Sequence, residues 1–233
     1  MISVKSIFKF IRSYIDTHRL FRGLEINNCS FVILDTETTG LESSKGDKII
    51  SLAALKIRNS LIQENEFLDE LINPERDIPW ESVKIHHITD EHVRGKPTLP
   101  ELQSKINLFL KKSILIGHNI EFDKKFIYQD AANSDLSKRM KKITSIDTIY
   151  LTAALYPDLE NYDLSYLCEH FNIRTNDQIR HSALGDCWIT ARLFLHLLNK
   201  AKEKNITTAS GLLKLCNQGA KLHHLIRNAK KIH

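Results

Sequence analysis

The sequence predicts a mixed-sheet α/β domain, from the order of its apolar segments. Residues 31–34, 48–58 and 66–72 are rich in apolar and β-branched residues and are separated by polar turns, which is typical of strands. From residue 98 onward, helical patterns alternate with short apolar runs. Three early strands followed by this alternation favour a central sheet that has antiparallel and parallel neighbours and is flanked by helices.

Capping residues and helical spacing place the helices. Thr98 is suited to be the N-cap of a helix over 98–111, because its hydroxyl can accept a backbone hydrogen bond. The clearest helix covers 183–199, with an apolar stripe that includes Leu184, Cys187 and Ala191. Residues 113–117 form a short strand. Further helices are predicted from about residue 121, over 148–156, over 164–171 and, after a break near residue 205, over 205–233.

Composition indicates a globular protein without an integral membrane segment. Hydrophobic residues make up 42% of the chain and charged residues 26%, and the apolar runs are too short to span a bilayer. The four cysteines form no C-x-x-C pair, so we expect buried, reduced thiols and a cytoplasmic location.

Charge is distributed unevenly along the chain. The net charge is +5, with +3 on residues 1–25 and +6 on residues 201–233, which leaves −4 for the middle. We therefore divide the chain into a basic amphipathic N-terminal extension (1–27), a main domain (28–200) and a basic helical C-terminal tail (201–233). The basic ends could attract phosphates or dock a partner protein, although basic runs often serve only to solvate surface helices.

The first motif with chemical meaning runs from Asp35 to Leu41. Asp35 and Glu37 follow a buried strand, and residues two apart in an extended chain project from the same face. Two carboxylates placed together repel each other, and a divalent cation such as Mg²⁺ or Mn²⁺ offsets that repulsion. The simpler alternative is a polar strand end that enters a loop.

Two further motifs each place an acid near the start of a helix. Asp123 ends the segment 118–123, and Asp186 lies one turn into the 183–199 helix, five residues after His181. Acids are common at helix N-termini because they interact favourably with the helix dipole. Four acids and one histidine in a single chain are nevertheless what two-metal phosphoryl chemistry requires, with the histidine available to accept a proton from water.

Together the three motifs resemble those of the DEDDh branch of the DnaQ-like exonucleases, over about residues 29–200. That family includes the proofreading epsilon subunit of bacterial DNA polymerase III. The resemblance implies an RNase H-like α/β fold and a 3′→5′ exonuclease with two divalent metal ions, Mg²⁺ or Mn²⁺. It assigns the first metal to Asp35, Glu37 and Asp186, the second in part to Asp35, a water-mediated role to Asp123, and the general base to His181. Ser182 stands where the sibling branch has a tyrosine, which favours the histidine branch.

The resemblance also implies residues that contact the substrate. Thr38 corresponds to a contact with the terminal nucleotide, and Leu41 to an apolar wedge between the last two bases. The remaining members of the substrate set are His86, Asn119 and Phe122. His87 replaces a glycine of the family loop, so the backbone conformation there is open to question. Asp147 ends a strand and is expected to be structural.

These features favour an exonuclease that acts on single-stranded 3′ ends, with DNA preferred over RNA as substrate. The nearest alternative is an RNA-processing exoribonuclease of the same fold, since nothing in the sequence determines how the 2′-hydroxyl is treated. A non-catalytic nucleic-acid-binding module or a polymerase-associated scaffold subunit is a third possibility. The basic termini could dock a polymerase or another protein partner in any of these cases.

Overall fold

The structure is a computed structural model that describes residue 21 and residues 23–229. Most of the predicted basic amphipathic N-terminal extension and the last four residues of the chain lie outside the described residues. Within the described part, every helix is too short or too polar to cross a membrane.

A five-stranded mixed sheet forms the centre of the molecule, as predicted. Its strands are β1 (Ser30–Thr38), β2 (Ile49–Arg58), β3 (Leu61–Leu71), β4 (Ile114–Gly117) and β5 (Ser145–Asp147), in the order β3-β2-β1-β4-β5. β1, β2 and β3 are antiparallel neighbours, whereas β4 runs parallel to β1 and β5 parallel to β4. β1 is longer than predicted, because it continues through the acidic residues instead of ending before them.

β3 also begins earlier than predicted, at Leu61 and not at residue 66. Asn59 and Ser60, both with positive φ, form the tight turn that joins it to β2, and Arg58 pairs directly with Leu61. The first half of β3 is largely polar and exposed, so it lacks the apolar run on which the prediction depended.

Helices cover both faces of this sheet. They are α1 (Trp80–His86), α2 (Asp90–Val93), α3 (Leu99–Phe109), α4 (Ile120–Asp130), α5 (Asp135–Met140), α6 (Thr148–Leu155), α7 (Leu164–His170), α8 (Ala183–Glu203) and α9 (Ala209–Ala229). The predicted helices are confirmed to within a few residues at each end that the structure describes, whereas the predicted end of the last helix, at residue 233, lies outside the described residues. Thr98 caps α3 reciprocally with Glu101. The short helices α1, α2 and α5 were not predicted, because each spans too few turns to show a period.

Alternate side chains of β1 enter two separate cores. Phe31 and Ile33 belong to the core shared with α6, α7, α8 and α9, and the Phe31 ring packs edge-on against Phe194 at 5.1 Å between centroids. Val32 and Leu34 belong to the core shared with α3, α4 and α5. Each fully buried side chain of this kind contributes about 1.5–3 kcal/mol. Burial on both faces therefore fixes the strand whose carboxyl end carries the acids.

The start of the segment 201–233 packs into the domain. Ala209, Leu212 and Cys216 of α9 are buried in the same core as β1. At Gly219, a Cβ atom would clash with the backbone oxygen of Tyr150 on α6, so α9 crosses α6 in direct backbone contact. The chain ahead of β1 is tied to the same region, because Ala209 N–H donates to Leu24 O at 2.9 Å.

We expect the substitution Gly219→Ala to lower the free energy of unfolding by about 1–3 kcal/mol, because the added methyl group must separate α9 from α6. Chemical denaturation, followed by circular dichroism, would measure the change. Gln218→Ala, an exposed neighbour on the same helix, is the matched control and should leave stability nearly unchanged. Equal stability of the two variants would contradict the close crossing of α6 and α9.

Candidate active site

Three carboxylates from two elements converge at the carboxyl end of β1. Asp35 and Glu37 lie on the β1 face that packs against α8, and Asp186 comes from the first turn of α8. Each offers an oxygen within 4.8 Å of the other two. Ser182 sets the start of α8 by accepting a hydrogen bond from Gly185 N–H at 3.2 Å. A Cβ at Gly185 would clash with the backbone oxygen of Ile179, so the turn before α8 requires glycine there.

Asp123 approaches the same place from α4. Its side chain is 4% exposed and accepts a hydrogen bond of 2.6 Å from the Thr36 hydroxyl. The start of α4 is anchored by Asp147, which accepts from the backbone N–H groups of Asn119 and Ile120 at 3.1 and 3.0 Å. Asp123 is therefore rigidly placed beside the three carboxylates, though it does not belong to the set within 4.8 Å. Asp147 has the structural contacts expected of it.

Burial raises the pKa of all four acids, and the neighbouring carboxylates add to the effect for Asp35 and Glu37. Burial raises the pKa of Glu37 to about 7, and the Asp186 and Asp123 carboxylates add to the effect. Burial also raises the pKa of Asp123 to about 7, against the opposing hydrogen bond from Thr36. The pKa of Asp35 is raised well above its ordinary value, first by burial and then by Asp123, Glu37 and Asp186. Such a cluster favours binding of cations, because a cation removes the repulsion that opposes ionisation.

Arg180 is a member of this site that the motifs did not reveal. Its Nη1 atom donates to Asp186 Oδ1 at 2.5 Å, and its charge lowers the pKa of Asp186, which burial raises. It also lowers the pKa of Asp35 and Glu37. A single arginine in a loop gives no spacing signal in the sequence; its one clue was its position next to His181.

His181 lies at the edge of the carboxylate cluster. It is exposed and occupies the left-handed region, with φ of 57°, in the turn directly before the Ser182 cap. Its charge and its backbone N–H both lower the pKa of Asp186, which shows that it lies close to that carboxylate. Its ring makes no hydrogen bond to any residue in the described part of the chain, so it is accessible to a molecule bound at the acids.

Thr38 and Leu41 lie on one side of the cluster, against α1. The Thr38 hydroxyl donates to Gly40 O at 2.6 Å, whereas the Leu41 side chain is 80% exposed. The Ser82 hydroxyl of α1 donates to Thr39 O at 2.9 Å, which fixes the helix beside this turn. His86 at the end of α1 is buried, and its Nε2 atom has no hydrogen-bond partner of normal geometry among the described residues.

His87 keeps the conformation for which the family loop uses glycine. It ends α1 in the left-handed region, with φ of 59° and ψ of 15°. A side chain in this region costs about 1–2 kcal/mol relative to ordinary helical backbone. His87 thus adopts the left-handed conformation that glycine favours, so the side chain at this position does not prevent it.

Asn119 and Phe122 lie on the other side, at the start of α4. Asn119 is exposed and left-handed, with φ of 67°, and Phe122 is half-buried with its ring 4.7 Å from that of Phe126. The preceding His118 is held by a hydrogen bond of 2.9 Å between its Nδ1 atom and the Thr148 hydroxyl. The predicted residues thus lie on, or in the turns directly next to, β1, α1, α4 and α8.

Comparison with known proteins agrees with this arrangement. The exonuclease family model matches residues 32–194. DNA polymerase III subunit epsilon of Rickettsia conorii is 32% identical over 170 residues, covering 72% of this chain and 73% of the relative. A DNA polymerase III subunit epsilon-like protein of Rhodobacter capsulatus is 34% identical over 188 residues, which is 81% of this chain but 26% of that relative.

A solved structure has the same fold. Exonuclease X in complex with 5′ overhanging duplex DNA aligns over 80% of this chain and 99% of its own, with a TM-score of 0.62 and 24% sequence identity. This likeness confirms the predicted RNase H-like fold. Because the exonuclease family model covers well over half of the sequence, including every residue of the candidate site, the chain belongs to the DnaQ-like exonuclease family.

Proposed function

We propose that the protein is a metal-dependent 3′→5′ exonuclease that hydrolyses the last phosphodiester bond of single-stranded DNA. The observation that carries this proposal is the cluster of Asp35, Glu37 and Asp186, whose carboxylates lie within 4.8 Å of one another at the end of a buried strand. The epsilon-subunit names of the relatives support DNA as the substrate, and the direction follows the family.

The donor set fits two hard divalent cations, and we propose Mg²⁺ or Mn²⁺. Asp35, Glu37 and Asp186 would hold the first ion, Asp35 would also contact the second, and Asp123 would act through water. When bound, the ions stabilise negative charge on the attacking and leaving oxygens of an in-line displacement. Carboxylate oxygens are the ligands that these cations prefer, and the raised pKa values of Glu37 and Asp123 reflect repulsion and burial that a cation offsets.

Side chains of the protein would supply the general base and would orient the phosphate for attack. The water oxygen bonds to phosphorus while the bond from phosphorus to the 3′ oxygen breaks, giving a 5′-mononucleotide and a shortened strand with a 3′-hydroxyl. His181, exposed beside Asp186, would take the proton of the attacking water. Arg180, already paired with Asp186, would place a positive charge near the phosphate.

The terminal nucleotide would lie between the two sides of the site. Thr38, Leu41 and His86 would bound it on one side, with Leu41 as the wedge between bases. Asn119 and Phe122 would bound it on the other. The exposure of Leu41 and Asn119 supports contact with a ligand, since both side chains face solvent next to the acids.

We also propose that the enzyme works beside a polymerase in the cytoplasm. The names of the curated relatives support association with DNA polymerase III, and the basic terminal segments offer charge for such contacts. All four cysteines are free and buried, which suits a reducing compartment.

Digestion of a 5′-labelled single-stranded DNA and its RNA counterpart, with Mg²⁺, Mn²⁺ or chelator, tests the function. We expect metal-dependent shortening from the 3′ end, faster on DNA, and no detectable cleavage by a folded Asp35→Asn variant. Faster cleavage of RNA would assign the exoribonuclease alternative instead. No cleavage of either strand by the folded wild-type protein would support a non-catalytic or scaffold role.

The substitution His181→Ala is expected to slow turnover by roughly 10²–10⁴-fold, the usual effect of losing a general base. The limb of the pH–rate profile that reports protonation of the base should disappear as well. His170→Ala, which removes an exposed histidine on α7, is the control and should retain the wild-type profile. A His181→Ala enzyme with an unchanged profile would rule out the proposed proton transfer.

Metal-free protein should lose stability as the pH rises. Folding raises the pKa of Glu37 from 4.5 and of Asp123 from 3.8, each to about 7, so between these values the folded state holds protons that the unfolded state has released. Their contribution to stability is present below the unfolded pKa values and is lost as the pH passes through the folded ones.

Thermal unfolding in chelator, from about pH 5 to about pH 8, measures this loss. We expect the melting temperature to fall with pH, Mn²⁺ to restore it, and Glu37→Gln to flatten the dependence. A metal-free melting temperature that rises over this range would contradict the raised pKa values of Glu37 and Asp123.

A further inference from the structure

A cavity lies next to Asn119, and apart from that residue its lining has no role in catalysis or substrate binding assigned above. It has a volume of about 760 Å³ and is bounded by α6, by residues 160–163 and by the last turns of α9. His118 and Asn119 form its wall nearest the acids, and they immediately precede the helix that carries Asp123. The cavity therefore adjoins the place where the terminal nucleotide is proposed to bind.

Aromatic rings form the opposite wall. The ring of His223 on α9 lies 5.7 Å from that of Tyr150 and 5.4 Å, edge-on, from that of Tyr162, measured between centroids. Gly219 lies one helical turn before His223, and its backbone contact with α6 holds this part of α9 in place. The rings are thus positioned by the packing of the fold before any ligand binds.

The charges around the cavity favour an uncharged ligand group. Asp163 also lines it, so a phosphate inside would meet an acidic side chain. Burial lowers the pKa of His118 to about 4, so its imidazole is neutral at neutral pH. Neutral polar groups next to aromatic rings suit a nucleobase, which stacks on rings and forms hydrogen bonds at its edge.

We propose that this cavity holds a base of the substrate strand, upstream of the terminal nucleotide, between the aromatic wall of α6, α9 and Tyr162 and the His118–Asn119 wall. The strand continues into it past Asn119, which borders both sites. α9 lies beyond the residues that match the exonuclease family model, so it adds a subsite to the family domain. This inference rests on the proposed function, because the ligand is the same strand.

The test compares a substrate that has bases upstream of the terminal nucleotide with a substrate that has none. One is a short 5′-labelled oligothymidylate; the other is the p-nitrophenyl ester of thymidine 5′-monophosphate, which has one base only. In the double variant His223→Ala/His224→Ala we expect KM for the oligothymidylate to rise about tenfold, the effect of losing one stacked base, with kcat unchanged. Hydrolysis of the ester should change less than twofold, because no upstream base is involved.

Two controls separate binding from folding. Gln218→Ala, on another face of α9, should behave as wild type on both substrates, and His223→Phe should keep the low KM because it keeps the ring. An oligothymidylate whose upstream nucleotides are abasic should have a KM with the wild-type enzyme about as high as the double variant shows on the intact strand. The double variant should not raise the KM of this abasic substrate further.

Several results would overturn the proposal. An unchanged KM for the strand in the double variant would show that the cavity takes no base. Equal losses on the ester and on the strand would show that α9 only supports the catalytic site. If the wild-type protein cleaved neither substrate, the proposed function would fail separately. Fluorescence anisotropy with labelled oligothymidylate would then decide the cavity's role: unchanged affinity of the double variant would overturn it, and weaker affinity would support it.

Discussion

Repulsion among carboxylates that are held together at the end of β1 is the constraint on which the site depends. Asp35, Glu37 and Asp186 lie within 4.8 Å of one another, with Asp123 beside them. In water such groups would move apart, but here each is attached to an element that the core holds in place. The fold therefore maintains a concentration of negative charge that a bound cation relieves.

Different interactions hold each acid in place. β1 cannot shift, because its side chains enter one core with α8 and another with α4. Thr36 directs Asp123 from the intervening position of the same strand, at 2.6 Å. Ser182 and Gly185 define where α8 begins, and that start determines the position of Asp186. A substitution that disturbs one of these interactions would therefore lower activity even though the substituted residue does not contact the substrate.

Much of the site was predictable because its residue types are few and their spacing follows from secondary structure. The i, i+2 acids on a strand and the acids near helix starts are enough to predict a metal cluster. Supporting residues were not predictable. Thr36 contacts Asp123, which lies 87 positions later in the sequence, and such a contact leaves no periodic signal. Arg180 lies close to Asp186 in sequence, but a single arginine in a loop belongs to no recognisable pattern.

The same reasoning explains the differences in the fold. α1 and α5 are too short to show a helical period, and the exposed half of β3 carries no apolar run. The leucine spacing after residue 205 indicated a helix but not its partner. Its contact with α6 depends on Gly219, where a Cβ atom would clash with the backbone oxygen of Tyr150. The sequence does not show that Tyr150 lies opposite Gly219, so this contact could not be predicted.

The most direct measurement of the central claim is anomalous X-ray diffraction from crystals that contain Mn²⁺ and thymidine 5′-monophosphate. We expect two anomalous peaks about 3.5–4 Å apart, one bound by Asp35, Glu37 and Asp186 and the other touching Asp35. No peak at these carboxylates, or ions bound only elsewhere on the molecule, would contradict the account.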